Sequence, residues 1–167
     1  MKKIILSLLL AIPLGMFAQE QKIAVVNTQT VFEAMPEVES VRTEIDKMTK
    51  EFESEFQILQ DEYNRKSSDY IAQQDSLSEN IKALRQQEIQ DIQTKTENFV
   101  PMARERIGRR QQELVTPIQE KMTKAIQAVG SENGYTYILV NDPQIILYLG
   151  TSAIDATDKV KAKLGIK

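Results

Sequence analysis

Hydrophobic and polar positions divide the chain into three regimes: a dense apolar start, a long polar stretch with a thin apolar stripe, and dense apolar runs near the end. Lys22-Ile23-Ala24-Val25-Val26-Asn27 is a short β-branched run and predicts a buried strand. Thr28 can cap a helix of one or two turns through Glu33 that ends before Pro36. Pro36 suits the first turn of the next helix, where its missing N–H costs nothing.

The stripe then runs Val38, Val41, Ile45, Met48, Phe52, Phe56, Leu59, Tyr63, Tyr70. Its early three-four-three steps are the rhythm of a coiled coil, and after Met48 they relax toward eleven, which predicts a straighter outer arm. Gln73 to Glu79 reads as a tip, with Ser76 and Glu79 spaced as a capping box. No Gly or Pro forces a turn there, so an unbroken helix is the alternative. The return stripe Ile81, Ile92, Ala103, Leu114, Ala125 also steps by eleven. Matched periods predict two antiparallel helices forming an arm over 37–130, with its tip near 74–79. At about 1.5 Å per residue, the first helix reaches nearly 60 Å. Pro101 and Pro117 each remove a backbone hydrogen bond and mark candidate hinges.

Ser131-Glu132-Asn133-Gly134 ends the return helix. Tyr135–Val140 and Gln144–Leu149 read as two strands joined by a turn at Asn141-Asp142-Pro143. A short helix near Ala156 to Leu164 places Ala156, Val160 and Leu164 on one face. The fold class is therefore α+β: a small β body from 19–36 and 131–167 with a long helical arm. Its expected core and oligomer contacts are Ile23, Val25, Val26, Phe32, Tyr137, Leu139, Ile146 and Tyr148.

Charge sharpens the arm. Residues 37–75 carry 5 basic and 11 acidic side chains, whereas 76–131 carry 9 and 7. The two helices are thus mutually attractive, modestly so because exposed pairs contribute about 0–1 kcal/mol each. Arg104, Arg106, Arg109 and Arg110 cluster on the return helix. They read either as a contact for anions or clients, since guanidinium chelates phosphate well, or as complements to the acidic first helix.

Lys2 and Lys3 before the apolar run Ile4 to Leu14, then Gly15-Met16-Phe17-Ala18, form an export signal with cleavage expected after Ala18. An uncleaved anchor is the less favoured alternative, because the run is short for a membrane span. From Gln19 onward the chain has 24 acidic and 19 basic residues, and no nucleic-acid signature is present. The chain has no cysteine and no histidine. That removes disulfides, the thiol nucleophile and the usual general base, and no glycine-rich phosphate loop implies a nucleotide. No cofactor is implied, and an enzyme is a poor reading. A core this small beside so long an arm points to oligomerisation, which lets several chains pool one core.

KIAVVNTQTVF at the start and ELVTPIQEKMTKAIQAVGSENGYTYILV near the end, with the long polar arm between them, resemble the Skp/OmpH family of envelope chaperones. The resemblance implies a periplasmic homotrimer whose strands build a barrel-like body with three arms around a cavity. It implies an ATP-independent holdase for unfolded outer-membrane proteins. This chain is acidic where well-known members are basic, so contact with anionic lipid is at most weak and no lipid motif is carried over. The competing reading is a structural or adaptor coiled coil of the envelope without holding activity.

Overall fold

The computed structural model describes residues 21–166, so the expected export signal lies outside the described residues. The order of elements is β1 (Ile23–Val26), α1 (Thr28–Glu33), α2 (Pro36–Gln73), α3 (Glu79–Asn133), β2 (Tyr137–Val140), β3 (Ile154–Asp155) and α4 (Thr157–Lys163).

Helix α1 is capped by Asn27, whose side chain accepts from Thr30 N at 2.9 Å, one position earlier than the Thr28 cap read from sequence. Asn offers its carbonyl oxygen to the first free N–H groups as well as Thr does. Pro36 begins α2 as expected. A single 3₁₀ turn, Gln74–Ser76, separates the long helices. The capping box does not form there. Ser76 Oγ donates to Gln73 O at 2.8 Å, and the cap position falls to Ser78 with no side-chain bond. The tight turn has taken the hydroxyl that the box required. Helix α3 continues unbroken through Pro101 and Pro117 and stops at Gly134, whose φ of 65° is left-handed.

The sheet has the order β2-β1-β3, and both pairings are parallel. Ile23 sits opposite Tyr137 and Val25 opposite Leu139. Parallel neighbours need a long crossover, and α1 to α3 supply it between β1 and β2. The strand expected at Gln144–Leu149 is absent, and the third strand is Ile154–Asp155 instead. Asp142 explains the first part of that difference. Its carbonyl accepts from Ile145 N and Ile146 N, and its side chain accepts from Gln144 N, so the chain is wound into a turn at Pro143. The second part lies in β1, whose remaining edge pairs Ala24 with Ile154 and Val25 with Asp155.

Ala24 and Val26 from β1 pack with Val31, Ala125, Val129, Ala156 and Val160 in the body core. Met35, Val38 and Ile118 form a second cluster at the root of the helix pair, joined by Phe32, Val41, Leu164 and Ile166. Helix α4 closes the body, with Lys159 Nζ donating to Asn133 Oδ1 and Tyr135 Oη, each at 2.7 Å. Among the described residues, no helix is long and apolar enough to cross a membrane.

Candidate functional site

Contacts between α2 and α3 run in opposite senses along the two helices. Glu37 pairs with Lys121 near the root, Glu44 with Arg110 at 2.7 Å, and Lys66 with Glu88 at 2.8 Å. Tyr70 accepts from Gln86 at 2.7 Å close to the tip. Midway, the Phe99 ring meets Phe52 edge-on at 5.9 Å and Phe56 at 6.3 Å. Ile92 and Ala103, two members of the eleven-residue series, are buried against α2, and Ala125 is buried lower down in the body. Ile81, at the outer end of that series, is exposed.

The polar pairs hold the charged forms. Lys121 donates to Glu37 and keeps that carboxyl below its usual range, and Lys66, then Arg85, do the same for Glu88. A carboxylate whose pKa is lowered on folding contributes stability above its unfolded value and loses it as pH falls through the folded one. Melting temperature is therefore expected to fall once pH drops below about 4, the ordinary glutamate range, with no contribution from these pairs to any change between pH 6 and 8. A Glu37→Gln, Glu88→Gln variant that loses as much stability between pH 6 and 4 as the parent chain does below 4 would contradict this assignment. The effect is small, because these half-buried groups stay in contact with solvent, which screens the pairs.

Beside the Phe cluster an open groove of 610 Å³ lies between the helices, lined by Glu55, Ile58, Leu59, Thr94, Lys95, Asn98, Phe99 and Met102. Its floor is apolar and its rims are polar. Ile58 is 63% exposed there and falls outside the stripe that sequence spacing picked out. Its signal was local: an apolar residue next to Leu59 where the pattern calls for a polar one.

The four arginines do not act as one cluster. Arg110 joins Glu44 and Glu113, which hold its guanidinium firmly charged, as the complement to the acidic first helix. Arg104, one position past the buried Ala103, turns to solvent, and Arg106 and Arg109 are exposed. Among the described residues none of these three has an ion-pair partner within 4.0 Å. Pro101 and Pro117 are both exposed on α3.

The predicted body residues separate by face. Val25 and Val26 are buried, and Phe32 packs at the arm root. Ile23, Tyr137 and Leu139 are exposed on the strands, and Ile146 is half-buried. In the register of the sheet, Ile23, Tyr137 and Leu139 share the face turned away from the core residues Ala24 and Val26. Beyond them Ile145 is 70%, Leu147 92% and Tyr148 85% exposed. A solvated sheet face is ordinarily polar, whereas this one is apolar, with Val25 on it buried. Tyr148, expected among the core and oligomer contacts, is exposed in the single chain, as is Leu147 beside it, which the sequence did not single out.

The OmpH-like outer membrane protein family model matches residues 22–164. The chain belongs to the OmpH-like family. The match takes in the body, the long helix pair and α4 of this OmpH-like chain, not only the two ends where the sequence resemblance is densest. No curated protein matches the chain.

Proposed function

We propose that this OmpH-like protein is a periplasmic holdase, which keeps unfolded outer-membrane proteins from aggregating without hydrolysing a nucleotide. Membership of the OmpH-like family over 22–164 is the observation that carries this reading, since the family is one of periplasmic chaperones for outer-membrane proteins. The architecture supports it. An unfolded barrel precursor exposes alternating apolar side chains, and holding it lowers the free concentration available for aggregation. The long helices supply reach, and the groove at Ile58, Leu59, Phe99 and Met102 supplies an apolar surface that is not consumed by the protein's own core.

A homotrimer belongs to the same proposal. In it, α2 and α3 form an antiparallel arm, and the open sheet face at Ile23, Tyr137 and Leu139 is covered by neighbouring copies. Three arms around one client then act at high effective concentration, so weak contacts suffice. The reading is tested by diluting a denatured outer-membrane protein into buffer with and without this chain. Soluble client at near-stoichiometric chaperone supports the holdase; aggregation at the same rate with and without it removes that reading and leaves an adaptor role.

A further inference from the structure

The groove midway along the helix pair has walls of unlike chemistry. Ile58, Leu59, Phe99 and Met102 make its floor apolar. Glu55 stands on the α2 rim, and Lys95 and Asn98 stand on the α3 rim. Glu51 and Glu62 lie at i−4 and i+7 from Glu55, so they continue its stripe along α2. Arg106 lies at i+11 from Lys95 and continues the opposite stripe along α3. Glu55 and Lys95 do not close on each other. Neither has an ion pair within 4.0 Å among the described residues.

Rims of opposite charge select against a charged occupant. An acidic segment is repelled along α2 and a basic one along α3, whereas a neutral segment meets neither cost. The backbone of an extended, unpaired chain is neutral and offers a partner to each rim. Glu55 can accept from its N–H groups, and Lys95 and Asn98 can donate to its C=O groups. A helical occupant has already satisfied those groups internally. The length fits a short stretch. On α3 the groove runs from Thr94 to Met102, about 12 Å of helix rise. An extended chain covers that distance in about four residues, which turns about two alternate side chains to the floor.

We infer that the groove takes a short extended stretch of client with no net charge. Its alternate apolar side chains lie on Ile58, Phe99 and Met102, and its backbone lies between the rims. The inference rests on the holdase reading and adds which part of a client the arm reads: apolar alternation, independently of charge. One groove this short holds weakly, so retention draws on several arms at once.

Thr94 lines the groove with its hydroxyl donating back to Gln90 O at 2.9 Å, which makes it a site for a probe. In the full chain it is replaced by the photo-crosslinking residue benzoyl-phenylalanine, and a urea-denatured outer-membrane barrel protein is added before irradiation. Cross-links are expected in neutral client stretches of alternating apolar residues, at equal yield between about 0.05 M and about 0.5 M salt. Ile58→Gln, at a position 63% exposed, keeps the oligomeric mass and helix content. It lowers the yield about tenfold, through the loss of one aliphatic contact. Glu55→Lys makes both rims basic, so cross-links then move to acidic stretches and weaken with salt. Cross-links gathered in charged stretches without that substitution, or a yield that falls with salt, overturn the inference. So do cross-links between copies of the chain while client is present, which would make the groove an assembly contact. A client kept soluble with no cross-link from position 94 overturns the role of the groove and leaves the holdase reading intact. A client that aggregates as fast as in buffer alone removes both readings.

Discussion

Replacing Met35 by Ala lowers stability by about 2–5 kcal/mol and melting by roughly 5–15 °C at fixed protein concentration. Met35 is 2% exposed and precedes Pro36 at the start of α2, where Val38 and Ile118 close over it and Phe32 packs beside them. It is among the largest fully buried side chains, in a body whose other core residues are mostly Val and Ala. A cavity there cannot be refilled by the surrounding small residues, so most of the transfer and cavity terms are lost together. Met35→Leu, which nearly conserves volume, costs less than about 1.5 kcal/mol. Thermal unfolding of both variants checks the pair. Equal loss for Ala and Leu would mean that the thioether itself, not the filled volume, holds the arm root.

The second large effect is on assembly rather than on the fold of one chain. Leu147→Asp combined with Tyr148→Asp leaves the single chain folded, because both side chains are almost wholly exposed in it. Substitutions at such positions usually change the stability of a chain by no more than about 0.5 kcal/mol. In the proposed trimer they place two carboxylates in an apolar contact, where an unpaired charge is expensive. The variant is therefore expected to run as a monomer with wild-type helix content and to lose the ability to keep a denatured client soluble. Circular dichroism and light scattering read the two halves separately. A variant that keeps the wild-type oligomeric mass would show that this face is not the one covered.

Much of the fold was legible because its signals are local or periodic. Pro36 fixed the start of α2, Gly134 the end of α3, and the eleven-residue spacing picked out Ile92 and Ala103 as residues turned toward α2. The β body was read less well. Gln144–Leu149 has strand composition, yet the bonds that Asp142 accepts from Gln144, Ile145 and Ile146 wind its start into a turn. The two-residue strand Ile154–Asp155 has no composition signal of its own and is defined by its pairing with β1. The site was divided in the same way. The arginine run was visible as composition, but its separation into a paired Arg110 and an Arg104, Arg106 and Arg109 without ion-pair partners among the described residues depends on which side of α3 faces α2. Ile58 and Leu147 were passed over because each is an apolar side chain left in solvent, which a rule of apolar-inside does not anticipate.

The proposed holding of unfolded outer-membrane proteins by an oligomer of this OmpH-like chain, with no energy source, can be read in one experiment. A urea-denatured outer-membrane protein is diluted into nucleotide-free buffer containing the chain, and the mass of the soluble complex is read by light scattering. Aggregation is expected to be suppressed near one assembly per client, in a complex whose mass equals three chains plus one client. A monomeric chain, with the client aggregating as fast as in buffer alone, would contradict it.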